Sequence, residues 1–233
     1  MFQAATPGLS SLNLSQIVLA IGALGTAAYG VVDVSKGFGG GVSNRGFGDI
    51  KKVVSLFIPA SGGGGSALSL TSVLATLRAN WLNGMALADQ KSVAKALIKL
   101  NLNTTSASRM AAATGVDETV LSSIAGKLST GAALTPAETD AHGRFDLLLT
   151  AVLDQGYQRG DQRYRNSAKL LAVPVAVALA LLGAWAISKD AFSSLDAWRA
   201  VAGGLLATPL APVAKDLASA IQEGTKLAQA WKK

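Results

Sequence analysis

Two long stretches without charged residues constrain the fold of this chain more than any other feature. Residues 2–32 carry no charge, and within them Asn13–Val32 is a run of twenty mostly apolar residues. At about 1.5 Å per residue, a helix of this length matches the hydrocarbon core of a bilayer, about 30 Å. The segment lacks the basic start of a cleaved signal peptide, so we expect a retained membrane span.

The second uncharged stretch is Leu170–Ser188, which carries Trp185 near its far end, where interfacial aromatics are common. Pro174 lies inside it and predicts a kink, because proline removes one backbone donor. Basic residues come just before the stretch, as expected for the cytoplasmic end of a span. They are Arg159, Arg163, Arg165 and Lys169.

A third span is predicted at Ala200–Ala214, between Arg199 and Lys215. Its fifteen uncharged residues cover only about 22 Å as a helix. The two flanking cations can extend toward the headgroups and make up the difference. A re-entrant or interfacial segment is the alternative.

The segment Val53–Leu77 is also uncharged, but Pro59 and the four glycines Gly62–Gly65 interrupt it. Consecutive glycines are costly in a helix that faces lipid. We therefore expect a short apolar helix, a glycine linker, and a further helix starting near Ser66. A fourth, broken span is the alternative.

Composition agrees with a membrane protein and limits the chemistry. Charged residues make up 15% of the chain, against about 25% in ordinary soluble domains. There is no cysteine and one histidine, His142, so disulfides, thiolate chemistry and multi-histidine metal centres are excluded. No catalytic motif is present, and we expect a non-enzymatic protein without cofactor or metal. The net charge of +7 is interspersed with acids, which favours a role in topology.

The middle of the chain predicts a helical domain. Asp89, Asn103 and Asp117 are suitable residues for starting helices. Thr135-Pro136-Ala137-Glu138 has the pattern of a capping box with proline in the first turn. The helix that starts there is not interrupted by proline until the second span, so it is expected to be long. No run alternates as a strand would, and the predicted class is all-α.

The positions of lysine and arginine predict the orientation. The segment 35–167 has fourteen, and the N-terminal segment has none. We therefore expect the N-terminus outside, the middle domain cytoplasmic and the membrane to be a bacterial inner membrane. The expected organisation is 1–33, N-terminal segment and first span; 34–66, glycine-rich juxtamembrane loop; 67–167, cytoplasmic helical domain and stalk helix; 168–188, second span; 189–214, connector and third span; 215–233, amphipathic tail.

The stretch Arg109–Lys127 has the spacing of a helix-turn-helix, with Gly115 at the turn. Its second helix would begin with Asp117 and Glu118, which repel phosphates, and has only Lys127 as a base. We favour a plain helical corner and do not expect nucleic acid as a partner.

Small residues recur every four positions in each predicted span. Such residues let helices approach closely in lipid, where apolar burial gives no driving force. The predicted helix-packing residues are Gly22, Thr26 and Gly30 in the first span, Ala176, Ala180 and Ala184 in the second, and Ala200, Gly204 and Thr208 in the third.

The segment Asp33–Asp49 is rich in glycine, but its spacing does not match a P-loop. We interpret it as an interfacial loop, and lipid headgroup contact is the functional alternative. Together with the bases before the second span, the predicted headgroup contacts are Lys36, Arg45, Arg159, Arg163, Arg165 and Lys169.

These features favour a structural, anchor or adaptor subunit embedded in the membrane, which self-associates or joins a larger membrane complex. Its expected partners are membrane lipid and other copies or subunits. Two alternatives remain open: an oligomeric channel or small transporter, and a membrane-tethered helix-turn-helix regulator.

Overall fold

The computed structural model describes residues 13–60 and 68–230, with side chains as far as residue 223. Within this part of the chain only helices and turns occur, so the predicted all-α class is confirmed. One-turn 3-10 helices follow α1 and α7, at Ser35–Gly37 and Lys189–Ala191. The α-helices are α1 (Leu14–Val34), α2 (Ser43–Phe57), α3 (Leu70–Leu82), α4 (Leu87–Leu100), α5 (Ala107–Thr114), α6 (Glu118–Thr130), α7 (Pro136–Ser188) and α8 (Ser194–Ala230).

The chain divides into two compact units. The central unit is residues 40–165 and contains α2 to α6 with the first part of α7. The terminal unit is residues 1–39 and 166–233 and contains α1, the rest of α7, and α8. The predicted long helix from Thr135 is confirmed by α7, which continues past Pro174.

The core of the central unit is formed by apolar residues three and four positions apart on each helix. This spacing puts one stripe of every helix on the same side, where neighbouring helices cover it. Each fully buried side chain of this size stabilises the fold by about 1.5–3 kcal/mol. Its largest fully buried side chains are Phe57, Ile50, Ile58, Leu77, Ile98, Met110, Leu121, Phe145, Leu149, Leu153 and Tyr157.

Helix ends in the central unit follow the predicted sequence signals. The Glu138 carboxylate accepts a hydrogen bond from the Thr135 N–H at 2.8 Å, and the Glu138 N–H donates to the Thr135 hydroxyl, so the capping box is confirmed. Asp117 caps α6 by accepting from the Val120 N–H at 3.0 Å. α5 and α6 each end at a glycine with positive φ, Gly115 and Gly131, a conformation that side chains disfavour.

One predicted boundary needs correction. The segment 34–66 is predicted to be a glycine-rich loop with a short apolar helix only from Val53 on, but the helix α2 already begins at Ser43 and ends at Phe57. Phe47, Ile50, Val54 and Phe57 share one face of this helix and are buried in the central core. Their burial outweighs the cost of two glycines in the helix, which is about 1 kcal/mol each. The predicted linker glycines and Ser66 lie outside the described residues.

Two helical segments of the described chain are long and apolar enough to cross a membrane, judged by length and composition. They are Leu14–Gly37 and Pro136–Ala191, which contain the first and second predicted spans. The third predicted span, Ala200–Ala214, lies inside α8 and stays a prediction. The cytoplasmic location of the middle domain stays a prediction as well.

Candidate functional site

The closest helix contact in the terminal unit is between α1 and α8. A Cβ atom added to Gly25 would overlap the carbonyl oxygen of Ala207, and one added to Gly22 would overlap the Cβ atom of Ala214. Because positions increase along α1 while they decrease along α8, the two helices are antiparallel. Glycine at both positions allows the backbones to approach more closely than any side chain would permit.

The face of α1 that is covered consists of Gly22, Gly25, Ala28 and Val32. Of the predicted packing residues on α1, only Gly22 lies on this face. Thr26 and Gly30 are exposed, and no atom lies within 4 Å of a Cβ added to Gly30. The three-residue spacing of positions 22, 25 and 28 was present in the sequence, and it is the signal that would have identified this face.

α8 also contacts α7 in the terminal unit. A Cβ atom added to Gly204 would lie 2.5 Å from the Cα atom of Val177, so these two backbones are close as well. The α1 side of α8 uses small residues further along, Ala207, Ala211 and Ala214, all of which are buried. α8 therefore contacts both other helices of the terminal unit through small residues.

The other predicted packing residues of α7 and α8 lie at different depths. Ala176, Ala200 and Thr208 are buried, whereas Ala180 and Ala184 are half-buried. The Thr208 hydroxyl is buried without a hydrogen-bond partner. The predicted four-residue pattern on α8, which includes Gly204, is thus covered throughout its length.

A second row of small residues lies on the opposite side of α1. Ala20, Ala23, Ala27 and Gly30 are exposed and are spaced three, four and three positions apart. At about 100° per residue, this spacing gives a narrow stripe that points away from the face covered by α8. We call these four residues the outer stripe of α1.

The most apolar parts of α1 and α7 are also the least covered. Only 22% of the best 18-residue window in Leu14–Gly37 is buried, and only 11% of the window in Pro136–Ala191. Large apolar side chains are therefore exposed around the terminal unit, and contiguous exposed apolar surface marks contact with a partner or a membrane. They include Leu14, Val31, Leu170, Leu182, Trp185, Ile187, Trp198, Leu205, Leu206 and Val213.

The predicted headgroup contacts fall into two groups. Three form ion pairs: Lys36 with Asp33, Arg163 with Asp49 at 3.1 Å, and Arg165 with Asp161 at 2.7 Å. The other three, Arg45, Arg159 and Lys169, are exposed.

Charge pairs join α4 to α7 within the central unit. Lys91 pairs with Asp154, and Lys95 and Lys99 both pair with Asp146. Burial raises the pKa of Asp146, but the hydrogen bonds and charges of the two lysines outweigh burial and bring that pKa below its ordinary value. The Asp146 carboxylate stays ionised at neutral pH, and the three ion pairs fix the register of the two helices.

The helix-turn-helix alternative can be compared with the contacts of α6. Lys127, the one cation in α6, donates to Glu138 at 2.6 Å. Together with hydrogen bonds from the Thr135 N–H and the Ser123 hydroxyl, this contact lowers the pKa of Glu138 to about 2. Lys127, the base that a recognition helix would offer to DNA, is therefore paired with Glu138 of α7.

The glycine-rich segment after α1 turns the chain into α2. Gly39, Gly40 and Gly41 all have positive φ, a conformation open to glycine at little cost. A Cβ atom on Gly40 would lie 2.9 Å from the Arg78 guanidinium, which donates to Asn44 at 3.1 Å. The segment therefore forms a tight turn against these side chains.

Within the described residues, no group of three or more His, Cys, Asp or Glu side chains is placed to hold a metal ion. His142 is half-buried in α7. The chain matches no protein-family model, and no curated protein or solved structure matches it.

Proposed function

We propose that this chain is an integral membrane protein whose terminal unit lies in the bilayer, with α7 and α8 crossing it, and anchors the central unit on the cytoplasmic side. The observation that carries the proposal is the exposure of the most apolar windows, of which 22% and 11% are buried. The core helix of a soluble protein would be mostly buried. Lipid tails are the medium that can cover such a surface without cost.

The antiparallel contact between α1 and α8 limits the topology. Gly22 and Gly25 lie near the middle of α1, and Ala207, Ala211 and Ala214 pack against them. The first and third of three successive crossings run in the same direction, so α1, α7 and α8 cannot each cross once while α1 and α8 pack antiparallel. We therefore propose that α8 crosses after α7 although its uncharged stretch is short, since the Lys215 side chain can extend toward the headgroups, and that α1 packs on α8 without a third complete crossing.

We further propose that the protein is a structural anchor that self-associates through the outer stripe of α1. A helix facing only lipid gains from large side chains, whereas Ala20, Ala23, Ala27 and Gly30 offer lipid little surface. The same residues let a second helix approach to close van der Waals contact. A second copy presenting the same stripe gives a closed two-fold dimer, the commonest arrangement of identical subunits.

The crossing of α7 and α8 predicts which side of the membrane the neighbouring segments face. Because the chain has no cysteine, single cysteines can be introduced at the exposed positions Ser108, Ser194 and Ala220. We expect the full-length chain to stay in the membrane after alkaline carbonate extraction. A membrane-impermeant maleimide applied from outside should label Ser194→Cys, and should label Ser108→Cys and Ala220→Cys only after the cells are lysed.

Two results would count against this topology. Release of the chain by carbonate would show that it is not integral. Labelling of Ala220→Cys from the same side as Ser194→Cys would show that α8 does not cross.

Self-association predicts a specific cross-link. In oxidised membranes, we expect Ala27→Cys to form a disulfide-linked dimer, because the outer stripes of two copies bring these positions together. Ala186→Cys is the matched control, since Ala186 is also exposed on a predicted span but lies on α7. Equal cross-linking at both positions would indicate random collision and would contradict the proposed dimer.

A further inference from the structure

The crossing of α2 and α7 in the central unit defines the register between these helices. A Cβ atom on Gly46 would lie 2.5 Å from the Gly160 carbonyl oxygen, and one on Gly156 would lie 2.6 Å from the Val53 side chain. Positions thus increase along α2 while they decrease along α7, and the two helices are antiparallel. The Asp49–Arg163 ion pair, 3.1 Å long, lies at one edge of this contact.

Like charges are concentrated along that edge. Arg45 and Lys52 lie one helical turn before and after Asp49 on the same ridge of α2, and Arg159 lies one turn before Arg163 on α7. Because the helices are antiparallel, Lys52 and Arg159 are brought to the same level. We call Arg45, Lys52, Arg159 and Arg163 the basic cluster.

The cluster has an excess of positive charge. Its four cations face one carboxylate, Asp49, which leaves a net charge of three. Asp49 is buried and pairs with Arg163, while Arg45, Lys52 and Arg159 are exposed and form no ion pair within the described part of the chain. Several cations on one edge attract an anion, and guanidinium groups suit phosphate in particular.

The position of the cluster along α7 indicates the source of the phosphate. Arg163 precedes Leu170, the start of the uncharged stretch, by seven residues, or about 10 Å along the helix. If that stretch crosses the bilayer, the long side chains of Arg159 and Arg163, which lie on the same continuous helix, can extend along α7 toward the headgroup layer.

We propose that the basic cluster binds the phosphate groups of anionic phospholipids and so selects these lipids around the terminal unit. This inference rests on the proposed membrane anchoring. It adds Lys52, a residue not predicted from the sequence, and a preference for anionic over zwitterionic headgroups.

The test is lipid retention by the purified full-length chain, measured by native mass spectrometry in mild detergent. The probes are phosphatidylglycerol and phosphatidylcholine with the same acyl chains. We expect the protein to retain phosphatidylglycerol preferentially. Lys52→Gln and Arg159→Gln should each weaken that binding about fivefold, the order of effect of one cation at an anionic surface.

Lys51→Gln is the matched control, because Lys51 is exposed beside Lys52 but lies about 100° away around α2. This variant should retain phosphatidylglycerol as the unmodified protein does. Lys52→Arg and Arg159→Lys should also retain it, because they keep the charge, and a loss of binding in them would contradict an electrostatic site.

Three results would overturn the proposal. They are equal retention of the two lipids, an equal loss of binding in Lys51→Gln, and displacement of phosphatidylglycerol by millimolar inorganic phosphate, which would indicate a site for free anions. The protein used is first shown to resist carbonate extraction. A negative result then contradicts lipid binding by the basic cluster and not the proposed membrane anchoring.

Discussion

We expect Gly25→Ala to separate α1 from α8 and to lower the stability of the terminal unit by about 3 kcal/mol, the upper end for overpacking. The new methyl group would overlap the Ala207 carbonyl oxygen and lie 2.7 Å from the carbonyl carbon. Both atoms are backbone, so a rotamer change cannot relieve the overlap, and the helices must move apart. The thermal unfolding midpoint of the full-length protein, measured by circular dichroism in one detergent, should fall clearly.

Gly30→Ala makes the same chemical change on the same helix and is the control. No atom lies within 4 Å of its added Cβ, and alanine is the better helix former, so its midpoint should stay the same or rise slightly. Gly22→Ala should behave like Gly25→Ala, because the Ala214 Cβ atom that it would overlap is fixed to the backbone. If Gly25→Ala and Gly30→Ala had equal midpoints, the close contact of α1 with α8 would be contradicted.

The helices of the central unit were predictable because their signals are local. The Thr135 and Glu138 capping box fixes the start of α7 through hydrogen bonds three residues apart. The positive-φ glycines Gly115 and Gly131 end α5 and α6 for an equally local reason. Such features depend on a few neighbouring residues, so the sequence contains most of what determines them.

The packing face of α1 could not be chosen from the sequence alone. This helix is rich in glycine and alanine, and several of its faces are small enough for close packing. The predicted row of Gly22, Thr26 and Gly30 runs diagonally from the face covered by α8 to the exposed side. The face that is used depends on where small residues lie on the partner, and the antiparallel register of α8 decides that.

The first part of α2, before Val53, was not predicted, for a different physical reason. Gly46 and Gly48 lower its intrinsic helix propensity, and flanking glycines suggested a loop. The gain comes from Phe47, Ile50 and Phe57, which are buried against helices distant in sequence. Tertiary burial of this kind cannot be inferred from a short window, although the three- and four-residue spacing of the apolar residues was visible.

Gly46 lowers the helix propensity of α2, yet the fold requires a glycine at this position. In the central unit, a Cβ atom at this position would lie 2.5 Å from the Gly160 carbonyl oxygen and 2.8 Å from the Trp81 ring. The Trp81 ring is itself fixed, since its indole N–H donates to the Ser43 carbonyl at 3.1 Å and its edge packs against Tyr164. The site is therefore bounded by backbone on one side and a held aromatic ring on the other.

We therefore expect Gly46→Ala to destabilise the central unit by about 2–3 kcal/mol, because neither the Gly160 backbone nor the Trp81 ring can move without losing its contacts. Trp81 fluorescence, measured with the other three tryptophans replaced by phenylalanine, should report the change as well, since the ring must shift from Ser43. Gly48→Ala, two residues along α2, meets no atom within 4 Å and should be neutral or slightly stabilising. Hydrogen exchange of α2 amides would separate the two variants: faster exchange in Gly46→Ala alone supports the crossing, and equal protection in both variants would contradict it.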